Sequence, residues 1–172
     1  MRSDIYNRGG ILQCAIFEYK HDKNQNRICL SEFLKLLFKD PLFRVNTYIN
    51  WLQNPRKTLT KKYIRNLLFS RYHMIIGESC KIGKHFRTLS PEGSVFGEGV
   101  IIGDYCITEG KVTLGQKNGL APKIGNHVYI QKNSVIIGGI YIGDGARVLV
   151  GSVVKDNVPS NAIVKGVPAR VI

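Results

Sequence analysis

Few side chains in this sequence can do chemistry, and their spacing is the first clue to its kind. There are four histidines, His21, His73, His85 and His127. Histidine titrates near neutral pH, which makes it the usual general base and the commonest metal ligand. A zinc centre built on histidine draws about three such ligands together. Only His85 and His127 fall in the repetitive part of the chain, so no metal is expected. Ser90, with Glu92 two residues after it, and Glu109 are further polar residues along the repeats. Burial, by raising its pKa, would make Glu92 a stronger base; a solvent-exposed turn is the plainer reading of both Glu92 and Glu109. Cys14, Cys29, Cys80 and Cys106 form no Cys-X-X-Cys pair and read as reduced thiols of a cytoplasmic protein.

What must position these residues is a repeat. Every sixth residue from Ile124 is β-branched and apolar: Ile124, Ile130, Ile136, Ile142, Val148 and Val154. Four places after each comes a small or apolar residue: Val128, Ser134, Ile140, Ala146, Ser152 and Val158. A helix needs a period near 3.6 and a strand a period of 2. A period of six fits a short strand and a turn, repeated, with one side chain pointing inward each time, which is the pattern of a hexapeptide β-solenoid. Upstream, Ile76 and Ile82 keep the spacing, as do Ile102, Thr108 and Leu114. The phase slips through Thr88–Gly93. Leu114 and Ile124 are ten residues apart rather than six, so the stretch from Gln116 to Lys123 holds four extra residues. Such an insertion bulges from one edge, where solenoids often bind ligands.

The first part of the chain is built differently. Residues 1–73 hold 14 Lys/Arg against 5 Asp/Glu, and residues 74–172 hold 11 against 7. Sixteen of the 18 glycines lie after residue 73. This predicts a basic, mostly helical region over 1–73 and an all-β solenoid over 74–172. Ser31 is placed to cap a helix over 32–39. Asp40-Pro41 then starts another, with Leu42, Val45, Ile49 and Leu52 at helical spacing. Thr60 is placed to cap a third helix reaching Tyr72, with Ile64, Leu67 and Leu68 on one face. Apolar faces with basic edges suit packing against the solenoid and other subunits; the alternative is docking on an anionic membrane at the inner face of the cell membrane. Basic residues alternate with aliphatics, not with aromatics in a stripe, so nucleic acid is not an expected partner. No run of 18 apolar residues suggests a transmembrane helix, and the N-terminus lacks the pattern of a signal peptide.

Several stretches resemble the hexapeptide-repeat acyltransferases, in particular the serine acetyltransferase-like group that includes surface-polysaccharide O-acetyltransferases. They are Lys81-Ile82-Gly83, Val112-Thr113-Leu114-Gly115, Lys123–Ile130, Gly151-Ser152-Val153-Val154 and the ending Val164-Lys165-Gly166-Val167-Pro168-Ala169-Arg170. Lys39–Arg44 adds to the likeness, which covers roughly residues 31–172. The resemblance implies a left-handed parallel β-helix, a homotrimer with active sites between subunits, and acetyl-CoA as acyl donor. It also implies a histidine base oriented by a carboxylate. Aligned without gaps, that histidine falls on Ser90 and the carboxylate on Ile75, and neither can do the original work.

The candidates to replace the base are therefore His85, one turn before Ser90, His73 at the junction of helix and solenoid, and Glu92. Lys132, Lys155, Lys165 and Arg170 lie on late coils, where cations suit the phosphates of CoA. Gly138 and Gly139 allow a backbone to approach the pantetheine arm closely. The expected activity is acetyl transfer to a hydroxyl, with a surface-polysaccharide sugar as the acceptor. The alternatives are serine O-acetylation and a non-catalytic trimeric relative.

Overall fold

A computed structural model of the chain describes residues 35, 37–53 and 58–172. The expected Ser31 cap, His21, Cys14 and Cys29 lie outside the described residues.

Among the described residues, 35 and 37–39 are helical, within the expected 32–39 segment, and two further helices lead into the solenoid. In α1 (Pro41–Leu52), Asp40 is the N-cap, and its carboxylate accepts from the Leu42 and Phe43 amides at 2.8 and 3.1 Å. Proline at the first helical position needs no amide partner, so Asp40-Pro41 starts the helix as expected. Val45, Ile49 and Leu52 are buried along one side. Helix α2 (Thr58–Tyr72) begins two residues before Thr60, which lies inside it and not at its cap. Ile64, Leu68 and Tyr72 form its buried stripe. Among the described residues no helix is long and apolar enough to cross a membrane.

From Ile75 onward the chain coils as a parallel β-solenoid of three faces, matching a left-handed β-helix. The first face stacks β1 (Ile75–Ile76), β4 (Val95–Phe96), β7 (Thr113–Gly115), β10 (Val135–Ile137) and β13 (Val153–Val154). The second stacks β2 (Lys81–Ile82), β5 (Ile101–Ile102), β8 (Lys123–Ile124) and β11 (Tyr141–Ile142). The third stacks β3 (Arg87–Thr88), β6 (Ile107–Thr108), β9 (Tyr129–Ile130), β12 (Arg147–Val148) and β14 (Ile163–Gly166), and ends with antiparallel β15 (Ala169–Val171).

A two-residue strand points one side chain out and one in. The inward set contains every residue of the six-residue series, Ile124 through Val154, all buried. Each buried aliphatic of this size contributes roughly 1.5–3 kcal/mol relative to exposure. Thr88 keeps the series in phase after Ile82, and Phe96 restores it, so the slip is two residues inserted between β3 and β4. Phe86 and Phe96 fill the wider first coil edge to face, their centroids 5.7 Å apart.

The corner between second and third faces shows why glycine follows the inward isoleucine in Lys81-Ile82-Gly83 and Lys123-Ile124-Gly125. Asp104 accepts from the Lys84 amide at 2.7 Å, Asn126 from Asp104 at 2.9 Å, and Asp144 from Asn126 at 2.7 Å. Each capping side chain lies over the glycine of the coil before, where a Cβ would collide with it. The turn residues above these caps, His85, Tyr105 and His127, all have positive φ, and their rings stack at 4.6 and 4.9 Å.

Among the described residues no coil precedes the first, so β1, β2 and β3 are the edge strands of their sheets. The helices close that edge with one polar side chain per face. Arg65 donates to the Ile76 carbonyl at 3.1 Å on the first face. Gln53 accepts from the Ile82 amide at 3.1 Å on the second. On the third, Asn46 both accepts from the Thr88 amide at 2.9 Å and donates to the Thr88 carbonyl at 3.3 Å, as a strand would.

Candidate active site

The two-residue slip opens the corner between third and first faces. There a cleft of about 530 Å³ is lined by Leu89, Ser90, Glu92, Glu109, Gly110, Lys111, Lys132 and Asn133. Three successive coils build it. The first supplies Ser90 and Glu92, the second Glu109 to Lys111, and the third Lys132 and Asn133. Lys111 and Asn133 turn the corner with φ of 56° and 59°. Backbone bonds tie the layers together: the Lys111 amide donates to the Glu92 carbonyl at 2.9 Å, and the Asn133 amide to the Gly110 carbonyl at 3.2 Å.

Ser90 is half-buried against Gly110; a Cβ on Gly110 would lie 2.9 Å from the Ser90 hydroxyl oxygen. Its carbonyl accepts from the Thr88 hydroxyl at 3.0 Å. Glu92 is exposed at the rim. Glu109 is half-buried and held at both oxygens, unlike the exposed turn residue its sequence position suggests. The Tyr129 phenol donates to one oxygen at 2.5 Å and the Lys132 amide to the other at 3.0 Å. The phenol hydrogen bond above all, then the Lys132 amide and ammonium, hold the Glu109 carboxyl below the usual carboxylate range. The same bond, with some burial, pushes the Tyr129 phenol up.

The histidines stand elsewhere. His85 lies one corner away from Ser90, separated from it by β3, with its ring stacked on Tyr105. It therefore does not share Ser90's edge within one chain, because the turn before β3 directs it to the preceding corner. His127 belongs to the same stack. His73 is exposed after α2 and meets Phe69 edge-on at 6.4 Å. None of the three lines the cleft. Buried Cys80 and Cys106 are no nucleophiles either: burial above all pushes their thiols up to about 12 and about 11. Among the described residues no group of three His, Cys, Asp or Glu could hold a metal.

The four-residue insertion is a compact hairpin at another corner. Lys117 and Leu120 pair across Asn118-Gly119, whose φ values of 53° and 77° are those of a type I′ turn. The hairpin folds down on Gly138 and Gly139. A Cβ at Gly139 would lie 2.8 Å from that of Leu120, so the close approach at this glycine is made by the chain's own loop. Of the cations considered for CoA, Lys132 lines the cleft. Lys155, Lys165 and Arg170 are exposed on the last coil, where Lys165 and Arg170 are strand partners and Arg170 pairs with Asp156 at 3.0 Å. Exposed cations on paired strands, as Lys165 and Arg170 are, suit a polyanion such as CoA.

Comparison with known proteins adds to this geometry. Residues 121–156 match the bacterial transferase hexapeptide family (six repeats). Over 127 residues the chain is 32% identical to a serine acetyltransferase of Synechococcus elongatus, covering 72% of this chain and 52% of that protein. The crystal structure of Neisseria gonorrhoeae serine acetyltransferase superposes with a TM-score of 0.78 at 27% identity, over 96% of this chain and 68% of that one. A serine acetyltransferase in complex with CoA superposes with a TM-score of 0.76 at 26% identity, over 97% and 72%. The chain spans about half the length of the curated relatives it matches.

Proposed function

The chain belongs to the hexapeptide-repeat transferase family, in its serine acetyltransferase-like group, and from that premise we propose that it is an acetyl-CoA-dependent O-acyltransferase whose acceptor is serine. The observation that carries this reading is the charge composition of the cleft, which Glu92, Glu109, Lys111 and Lys132 line together with Ser90. Two carboxylates and two ammonium groups complement a zwitterionic hydroxy acid better than a neutral sugar. The relatives favour the same acceptor over the surface-polysaccharide sugar expected from the sequence. Lys132 in the cleft and Lys155, Lys165 and Arg170 on the last coil are the candidates to hold the donor's phosphates. Self-association as a homotrimer extends the reading. It is supported by the outer row of the first face, Ile75, Val95, Thr113, Val135 and Val153, which is β-branched throughout.

One observation favours a second reading. Ser90 occupies the position where the resemblance puts a histidine base, and a serine hydroxyl is no base at neutral pH. A non-catalytic relative that keeps donor binding would look like this. Thiol release from acetyl-CoA, measured with serine, simple sugars and nucleotide sugars, separates the two. The expected result is serine-dependent release by the natural chain. Release only with a sugar would return the acceptor to the polysaccharide class. Silence from the natural chain, with release restored by Ser90→His, would establish the non-catalytic reading.

A further inference from the structure

If the cleft transfers acyl groups without a histidine, some other group in it must take the acceptor's proton. We propose that Glu109 is that general base, with Tyr129 as its positioning residue; this rests on the acyltransferase reading above. Glu92 and Glu109 are the carboxylates lining the cleft. Glu92 is exposed at the rim, where its side chain has many rotamers. Glu109 is fixed by two hydrogen bonds, from the Tyr129 phenol and the Lys132 amide. A carboxylate has about four acceptor sites, so both contacts leave lone pairs for a third donor. Gly110 follows directly, and Ser90 packs on it, so the base and the Ser90 hydroxyl share one wall of the cleft. That hydroxyl supplies a hydrogen bond to orient the acceptor, not a base.

The step balances without a further reactant. The acceptor O–H gives its proton to Glu109 as its oxygen bonds to the thioester carbonyl carbon. The C–S bond then breaks, and the proton passes from Glu109 to the leaving sulfur, giving CoA thiol and the ester. Lys111 and Lys132 are the cations on hand for negative charge on the carbonyl oxygen. The charged and titratable groups around Glu109 are Tyr129, Lys132, Lys111 and Glu92, with Arg147 beside Tyr129. A carboxylate held low is ionised throughout the neutral range. It is a weak base there, but an always-available one, so the rate has no acid limb where histidine titrates.

The test uses the full chain with acetyl-CoA and serine. Glu109→Gln is expected to lower kcat/KM about 100-fold or more, with the CoA dissociation constant, read by calorimetry, and the thermal melt unchanged. The natural chain's rate is expected to stay level from pH 8 down to 6. In Tyr129→Phe, loss of the phenol donor raises the Glu109 pKa, so an acid limb moves to higher pH; a merely structural tyrosine would lower the rate equally at every pH. An active chain whose Glu109→Gln variant keeps a third or more of its rate overturns the assignment while leaving the acyltransferase reading standing. A limb between pH 6 and 7 that disappears in His85→Ala or His73→Ala also overturns it. A natural chain that binds CoA but transfers nothing overturns both.

Discussion

At the scale of single residues, the interior is closed but not wholly apolar. Ser94, Ser134 and Ser152 are fully buried, and each hydroxyl has a backbone partner. Thr108 is equally buried and its hydroxyl has no partner among the described residues. A buried hydroxyl without a hydrogen bond costs about 1–3 kcal/mol. Thr108→Val keeps the shape and removes that cost, so it is expected to stabilise the fold by about 1 kcal/mol, read as a raised midpoint in urea unfolding; a lowered midpoint would mean that the hydroxyl has a partner in solution. The site's residues were only partly legible at this scale. The family alignment points to Ser90, and Glu92 follows it by two; both line the cleft. The Glu109–Tyr129 pair was not identified, because the two residues are 20 apart and no local pattern links them. They meet because β6 and β9 stack in register, Ile107 on Tyr129. The slip in phase and the insertion were both visible, but which of them opens a cleft depends on how each folds. Asn118-Gly119 lets the four extra residues close on themselves, whereas the two extra residues between β3 and β4 hold a corner open.

At the scale of elements, the six-residue series made the solenoid readable because each inward residue decides the path of its own strand. The junction with the helices was less so. Nothing in the spacing of Asn46, Gln53 and Arg65 marks them as anything but polar positions on or after amphipathic helices. In the structure each meets a different face of the first coil. Removing one leaves a backbone group of an edge strand without its partner. We expect Asn46→Ala, which loses two bonds, to destabilise by about 2 kcal/mol, and Gln53→Ala, which loses one, by about 1 kcal/mol. Hydrogen exchange is the sharper check. The Ile82 amide should lose protection in Gln53→Ala and the Thr88 amide in Asn46→Ala, with the later coils unchanged. Equal loss across all coils would show instead that the helices support the solenoid only through their apolar contacts.

At the scale of the whole molecule, the outer surfaces of the three faces differ. The second face presents Lys81, Ile101, Lys123 and Tyr141 outward, and the third Arg87, Ile107, Tyr129 and Arg147. The first face alone carries no charge in its outer row. If copies associate through it, as proposed, Val135→Lys places a charge at the centre of the row and is expected to convert the assembly to monomer in light scattering, with the far-ultraviolet spectrum retained. An unchanged mass would move the contact to another face.

The helical caps carry a consequence for the molecule's extent. A stack of identical coils has no natural origin: any edge can accept one more, from the same chain or from another. Here the lower edge meets three side chains in place of a backbone row, and the top turns back in the antiparallel β15. The stack thus has a zero mark. The cleft and the hairpin stand at fixed heights above it, as graduations do on a ruler, and a neighbour approaching the first coil along the axis meets side chains where a rung would be.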